Sequence, residues 1–376
     1  MAIARSSRSA GLAARLAGKR VLVCVGAGGV GKTTTSAALA LGLAREGRKV
    51  AVVTIDPAKR LASALGLQRL SSEPSRIDAA ALREAGVHGK GQLWAMMLDT
   101  KRTFDDVVTR LASDEGAREE ILANPIYREL STAVAGSQEL SAVAKLYELY
   151  EEHDFEVIVL DTPPSRNALD FLEAPGRLLG FFEGRALQVF LAPSGLTARL
   201  FGRGTALVFS IFARVTGVNM LNELSRFFRT MSSVIDGFGQ RTRDVEALLR
   251  APQTSFVIVT SPEPDPVSEA MFLARRLRDA RMSADGLVVN RTHLDGLGGH
   301  APDEVAELLS GELGAQLAER LAANLADFDV LARRDRDSIA HLSSELEGAA
   351  LVVVPQLDED VQDLLGLGRV AEYLLE

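Results

Sequence analysis

The chain has 376 residues, of which 47% are hydrophobic, and its formal net charge is −8. This length and apolar content exclude a disordered or fibrous protein and predict a globular protein with a sizeable core. The acidic balance disfavours a nucleic-acid-binding surface, and a single cysteine, Cys24, excludes an intrachain disulfide and a thiolate metal cluster.

Basic residues dominate the start of the chain, with five basic and no acidic side chains in the first twenty positions. We expect residues 1–19 to form a basic arm that ends in a short surface helix within "AGLAARLAGKR". The alternative is a segment that contacts a membrane surface or a nucleotide. No apolar signal-peptide core follows, which predicts a cytoplasmic protein.

Short apolar runs that end at turns predict the strands. They lie at 20–25, 49–55, 92–98, 155–160, 255–260, 286–290 and 350–355. Most are continuously apolar, which is typical of parallel strands covered on both faces. Helical patterns separate them, at 32–46, 267–282 and 303–324 for example. The sequence therefore predicts an α/β fold with a doubly wound, mostly parallel sheet of about seven to eight strands.

Two stretches without strand patterns interrupt this order, and we interpret them as helical insertions at about 101–153 and 171–250. Ten of the 15 phenylalanines fall between Phe171 and Phe238. These side chains could pack into the core of a helical subdomain, or line a partly exposed groove for an apolar client protein. The longest uncharged run, 204–213, is too short to span a bilayer, which takes ~20 residues.

The stretch "VGAGGVGKTTT" at 25–35 fits two phosphate-binding patterns. Gly26, Gly28 and Gly31 match the dinucleotide fingerprint, whereas Gly26 and Gly31 with Lys32 and Thr33 match the P-loop. A lysine at the helix start suits phosphate oxygens, and the adjacent hydroxyl can bind Mg²⁺. A dinucleotide site needs neither group, so the pattern favours a P-loop for a nucleoside triphosphate.

Two aspartates follow predicted strands and suit the same chemistry. Asp56 ends the second strand, where a carboxylate can orient the attacking water. Asp161 ends the strand "FEVIVL" and begins "DTPP", the position of an acid that assists Mg²⁺ binding. Together with Lys32 and Thr33, these residues predict an ATPase.

Five segments, "GAGGVGKTTT", "TIDPAKRLASALG", "LDTPPSRNALDFL", "VVNRTH" and "VVVPQLDEDVQDLLGLGRVAEYL", resemble in sequence and order those of the ArsA-like anion-transporting ATPases. That family includes the arsenical-pump ATPase and the factor that targets tail-anchored membrane proteins. The resemblance implies one P-loop ATPase domain over 20–376 that uses ATP and Mg²⁺. It also implies nucleotide-dependent closure of a dimer and a helical subdomain for cargo.

The resemblance also implies roles for individual residues. Lys32, Asp56 and Asp161 would be catalytic, with Thr33 binding Mg²⁺ directly and Asp161 through water. Asn290 would read the adenine, and the backbone at Pro355 and Leu357 would flank it. The phosphates would be wrapped by Gly28, Gly29, Val30, Gly31, Lys32, Thr33 and Thr34.

Departures from the family pattern limit this transfer. Ala27 stands where the family usually has a lysine that reaches the partner's phosphates, and Arg166 and Asn167 replace a Gly-His pair. Lys59, Arg60 or Arg166 could supply the missing cation, or a homologous subunit could carry it. Without further cysteines, arsenite binding through thiolates is excluded.

We therefore expect an ATP-hydrolysing switch that acts as a homodimer or with a homologous subunit, and handles an apolar client at 171–250. One alternative is a nucleotide-binding subunit with little hydrolysis of its own. Others are a binding module that holds ATP as a structural ligand and a partition-type regulator. Peripheral membrane contact stays open, whereas no nucleic-acid partner is expected.

Overall fold

A computed structural model describes residues 11–56, 60–133, 137–163, 218–346 and 348–375. The chain divides into two compact units. The described part of the first unit comprises 11–56, 60–97, 155–163, 249–346 and 348–375. That of the second comprises 98–133, 137–154 and 218–248. No helix among the described residues is long and apolar enough to cross a membrane.

The first unit contains one eight-stranded sheet, which confirms the predicted α/β fold. Its strands are β1 (Val21–Val25), β2 (Lys49–Thr54), β3 (Ser75–Arg76), β4 (Gln92–Met97), β5 (Val157–Asp161), β6 (Thr254–Thr260), β7 (Ala284–Thr292) and β8 (Ala350–Pro355). The strand order is β3-β4-β2-β5-β1-β6-β7-β8, and all pairs are parallel except β3 with β4. Because β3 has only two residues, no sequence pattern predicted it.

Helices of the described ranges connect the strands and build the described part of the second unit. In chain order they are α1 (Leu12–Leu16), α2 (Lys32–Arg45), α3 (Arg60–Ala64), α4 (Ala79–Glu84), α5 (Thr100–Leu111), α6 (Glu115–Ala123), α7 (Pro125–Ala133), α8 (Ser137–Glu151), α9 (Val218–Thr230), α10 (Ser232–Arg250), α11 (Pro264–Asp279), α12 (Pro302–Leu313), α13 (Ala315–Glu345) and α14 (Leu364–Leu375). The single helix predicted over 303–324 is wrong. Gly314, with φ 80°, separates α12 from α13, and α13 continues to Glu345.

The central strands are buried along their whole length, as their continuously apolar sequences predict. All five residues of β1 and all seven of β6 are buried. Strand β1 lies between β5 and β6; the chain runs from β1 to β2 on one side of it and later crosses from β5 to β6 on the other side. In such sheets, ligands bind at the carboxyl ends of the strands near this reversal. The loop after β1 is therefore placed at the usual binding crevice.

The start of the described chain is packed, although the sequence predicted an arm there. Leu12 and Leu16 of α1 are buried in the apolar core of the first unit. Lys19, which follows this helix, forms a 2.7 Å ion pair with Asp285. Residues 1–10 of the predicted arm lie outside the described residues.

The second unit has its own apolar core. Phe227 and Phe238 are buried there with Val108 of α5 and Ile121 of α6. The described part of the phenylalanine-rich segment therefore contributes side chains to a core. Residues 171–217, which hold most of its phenylalanines, lie outside the described residues.

Candidate nucleotide site

The glycines of the loop between β1 and α2 allow its backbone to approach its neighbours closely. A Cβ on Gly26 would lie 1.9 Å from the carbonyl oxygen of Val259 in β6. Gly29 and Gly31 have φ of 80° and 93°, which only glycine adopts without strain. Gly31 is the N-cap of α2 and has no side chain to cap it, so the first N–H groups of the helix can face a phosphate.

Lys32 is held inside this loop. Its ammonium donates hydrogen bonds to the carbonyl oxygens of Gly26 at 2.9 Å and Ala27 at 2.7 Å. Burial lowers the pKa of Lys32, and the charges of Asp161 and Asp56 act in the opposite direction. The loop thus presents a partly desolvated cation beside the helix N-terminus, an arrangement that binds anions.

Asp161 is a fully buried carboxylate at the end of β5 with one oxygen left unpaired. Its Oδ2 accepts hydrogen bonds from the hydroxyls of Thr33 at 2.8 Å and Thr54 at 2.9 Å. Its Oδ1 is buried and has no hydrogen-bond partner. Burial raises the pKa of Asp161 to about 6, although both hydroxyls and Lys32 oppose the rise. A buried, unsatisfied carboxylate oxygen is costly alone and fits a nearby cation with its bound water.

A cavity of about 950 Å³ opens in front of Lys32 and Thr33, and Asp161 is connected to it through its hydrogen bond from Thr33. Asp56 and Arg60 lie in its wall, as do Lys32 and Thr33. Of the cations that the sequence offered in place of a lysine at position 27, Arg60 thus lies at the cavity, whereas Lys59 and Arg166 lie outside the described residues. Ala27 itself is buried in the apolar core.

The other end of the cavity is formed where β7 and β8 end. Asn290 lines it, and its Nδ2 donates a 2.9 Å hydrogen bond to the carbonyl oxygen of Val30. This bond leaves the amide oxygen as the group that Asn290 can offer a ligand. Pro355 and Leu357 line the same wall. The fold thus brings the residues predicted for adenine into the same cavity as the phosphate loop.

Among the residues predicted to wrap the phosphates, Val30 differs from the rest. Its side chain is buried in the core and its carbonyl oxygen is engaged by Asn290, so its backbone N–H is what it can offer a phosphate. The others line the cavity: Gly28, Gly29, Gly31, Lys32, Thr33 and Thr34.

Sequence reasoning missed three polar side chains of this region. Thr54 bonds Asp161, and Thr162 donates a 2.7 Å hydrogen bond to the carbonyl oxygen of Cys24. His293 lines the cavity and is paired with Asp335 of α13. Thr54 is the last residue of β2 and Thr162 directly follows β5, and these strand-end positions are a signal that could have found them. The pairing of His293 is between residues 42 positions apart, and no spacing rule indicates it.

The site does not resemble a protein-only metal centre. In the described ranges, no cluster of three His, Cys, Asp or Glu side chains could hold an ion. Burial raises the pKa of the Cys24 thiol to about 12, so it stays protonated in the core. Water and a bound phosphate would therefore supply part of the ligands of any cation at this site.

Comparison with known proteins agrees with this geometry. A family model described as "Anion-transporting ATPase" matches residues 19–297, most of the chain. The ATPase GET3 of Podospora anserina is 28% identical over 266 residues, which cover 71% of each protein. The ATPase GET3 of Malassezia globosa is 26% identical over 356 residues, or 94% of this chain and 90% of the relative. The chain therefore belongs to the ArsA-type anion-transporting ATPase family and is an ATPase of that family.

Proposed function

We propose that the chain is a Mg²⁺-dependent switch that hydrolyses ATP at the Lys32–Asp161 end of the cavity. The observation that carries this proposal is the buried carboxylate of Asp161, whose Oδ1 lacks a partner while Oδ2 is fixed by Thr33 and Thr54. Thr33 would ligate Mg²⁺ through its hydroxyl, and Asp161 would hold a water of the ion. The bound ion would neutralise charge that develops on the phosphate oxygens.

Each residue of this chain has a separate task in the proposal. Lys32 exchanges the carbonyl oxygens of Gly26 and Ala27 for phosphate oxygens when ATP binds. The glycines of the loop let backbone N–H groups point at the same oxygens. Asp56, in the cavity wall, orients the attacking water and accepts its proton.

The base end supports ATP over GTP. Because Nδ2 of Asn290 is bonded to Val30, its Oδ1 is left to accept a hydrogen bond from the amino group of adenine. Guanine presents a carbonyl oxygen at the equivalent position, which would face another acceptor. The backbone at Pro355 and Leu357 would flank the base.

Substitution of Asp56 tests the hydrolytic step. We expect Asp56→Asn to keep ATP binding and to lower the rate of Mg²⁺-dependent phosphate release by about 10²–10⁴-fold, the contribution of a general base. Glu359→Gln is the matched control, since Glu359 is an exposed carboxylate in the same cavity wall. Unchanged hydrolysis in Asp56→Asn would remove Asp56 from the mechanism.

We further propose that the ATP cycle closes a dimer and is coupled to an apolar client at 171–250. The family resemblance supports this coupling, and Ala27 leaves two versions open. Either a cation within this chain, Lys59, Arg60 or Arg166, takes the place of the missing lysine, or a homologous subunit with a lysine at the equivalent position does so. The chain would then hydrolyse little ATP alone. Light scattering of the purified chain with and without ATP, together with its turnover rate, separates the two versions.

A pull-down with Asp56→Asn held in the ATP state tests for client and partner together. Recovery of a homologous ATPase would support the heteromeric version, and recovery of membrane proteins would support client handling. Vigorous turnover by the purified chain without a partner would contradict the heteromeric version.

A further inference from the structure

A break in strand pairing shapes the wall of the cavity where β7 ends. Asn290 pairs with Val354 and Thr292 pairs with Pro355, so Arg291 is an extra residue with no counterpart on β8. Arg291 is also a non-glycine residue in a left-handed conformation, with φ 59°. Such bulges redirect side chains and recur next to active sites.

Because of the extra residue, two side chains that a regular strand would place on opposite faces of the sheet both face the cavity. Residues three apart in a regular strand face opposite sides of the sheet. Here Asn290, the extra residue Arg291 and His293 all line the cavity, whereas Thr292 is buried. The bulge thus adds a histidine to the wall that holds the amide predicted for adenine.

His293 is fixed on its inner side by a buried carboxylate. Both its backbone N–H and its ring Nδ1 lie on Oδ2 of Asp335, at 2.8 and 2.9 Å. Asp335 belongs to α13 and is only 1% exposed. The ring also lies 6.2 Å from that of Phe328, between ring centroids. A histidine held from two directions in this way has a defined ring orientation.

This pairing determines what the ring can offer a ligand. A carboxylate can only accept, so Nδ1 carries a proton toward Asp335, and in this singly protonated tautomer Nε2 is an acceptor. Nε2 has no hydrogen bond within the described part of the chain. A ligand group that matches it must be a hydrogen-bond donor.

We propose that His293, oriented by Asp335, binds the sugar of the nucleotide, with Nε2 accepting a hydrogen bond from a ribose hydroxyl. This inference rests on the proposed function, because it needs a nucleotide in the cavity. A nucleoside of adenine has two kinds of donor, the amino group of the base and the hydroxyls of the sugar. The free amide oxygen of Asn290 serves the first, which leaves the hydroxyls for His293.

The test uses calorimetry in the presence of Mg²⁺ to compare the affinities of the full chain for ligands that ATP hydrolysis does not consume. The ligands are ADP, its 2′-deoxy and 3′-deoxy forms, GDP and pyrophosphate. We expect the wild type to bind ADP about 3- to 10-fold more tightly than one of the deoxy forms, the range for one hydrogen bond. Pyrophosphate serves as the reference because it lacks the sugar.

His293→Asn is the informative variant, since its amide can still reach Asp335 but cannot reach the position of Nε2. We expect it to abolish the preference for ADP over the deoxy form and to leave pyrophosphate affinity unchanged. His293→Gln, whose amide reaches further, should restore part of the preference. Asp335→Asn should reduce the preference, as expected of a positioning residue.

The outcomes separate this inference from the proposed function. Binding of neither ADP nor pyrophosphate by the wild type would overturn both. Equal binding of ADP and both deoxy forms by the wild type would overturn the role of His293 alone. Two further results would also overturn it: an equal loss of pyrophosphate affinity in His293→Asn, or a loss of ADP-over-GDP preference with the ribose preference intact.

Discussion

The two ends of the cavity are built in different ways. The lining of the phosphate end comes mostly from one continuous stretch, 28–34, and hydrogen bonds link its Thr33 to Asp161 and Asp161 to Thr54 on neighbouring strands. The end proposed to hold the nucleoside is assembled from the ends of β7 and β8 and from α13, which supplies Asp335. Backbone groups and a cation bind any triphosphate, whereas side chains at fixed positions distinguish one nucleoside from another. Under the proposed function, affinity for the phosphates and specificity for the nucleoside would be carried by separate parts of the chain.

Among the predictions for this comparison, we expect the largest effect from removing the ammonium group of Lys32 at the phosphate end. We expect Lys32→Ala to lower turnover by about 10²–10³-fold, because a charged donor to the developing phosphate charge is lost. Phosphate release under saturating Mg-ATP measures this effect. Lys90→Ala, which removes an exposed lysine, is the control. A Lys32→Ala protein that kept wild-type turnover would show that the site of hydrolysis lies elsewhere.

Two glycines of the same loop separate steric overlap from backbone strain. A Cβ at Gly26 would meet backbone oxygen of Val259 at 1.9 Å, whereas a Cβ at Gly29 would meet nothing within 4 Å. We expect Gly26→Ala to lower the free energy of unfolding by about 3 kcal/mol or more, since backbone must move. Gly29→Ala should cost about 1–2 kcal/mol, from its φ of 80° alone.

Urea denaturation of the two variants measures both values. Equal losses of unfolding free energy would show that strand β6 yields to the added methyl group, and would contradict the close approach of the loop to that strand.

Asp161 gives the phosphate end of the cavity a pH dependence. Its pKa is raised to about 6 by burial, so its ionised form is disfavoured in the folded state. The protonated Asp161 carboxyl therefore stabilises the folded protein. This contribution is fully present below the pKa of the unfolded chain and is lost as pH rises through about 6. In metal-free protein, we expect the unfolding free energy of wild type relative to Asp161→Asn to fall by about 2–3 kcal/mol between pH 4 and 7.

Asp78 is the matched control for that titration, because its shift has the opposite sign. Backbone N–H groups of Ala81 and Ala80 lower the pKa of Asp78 at the start of α4. Its stabilisation is present above the unfolded pKa and is lost as pH falls. Asp78→Asn should therefore differ from wild type most at neutral pH and least in acid. If the difference in unfolding free energy between wild type and Asp161→Asn did not depend on pH, it would contradict the raised pKa of this buried carboxyl.

The smallest expected effect is a change in ligand affinity on substitution of Asn290. It tests whether this residue contributes to binding at both ends of the cavity. Because its Nδ2 bonds the carbonyl oxygen of Val30, we expect Asn290→Ala to weaken binding of tripolyphosphate, which has no base, by about 3- to 10-fold. ATP affinity should fall further, since the contact with adenine is lost as well. Calorimetry with both ligands measures the two losses, and an unchanged affinity for tripolyphosphate would restrict Asn290 to the base.

Much of the fold could be predicted because its signals are local. The seven predicted strands are all present, since continuously apolar runs of strand length are typical of a parallel sheet covered on both faces. Boundaries were less accurate: the helix predicted over 267–282 runs from Pro264 to Asp279. The two-residue β3 pairs antiparallel to β4 and carries no periodicity, so only its partner reveals it.

The sequence by itself predicted the phosphate loop, because Gly26, Gly31 and Lys32 lie in one short stretch of chain whose spacing matches the P-loop. It also identified Asp56 and Asp161 as strand-end acids. Only the tertiary structure decided that Oδ1 of Asp161 is left unpaired and that Arg291 forms a bulge. It alone brought Asp335 of α13 to His293. These features depend on pairings between distant segments, and side-chain burial and strand register exist only once those segments have packed.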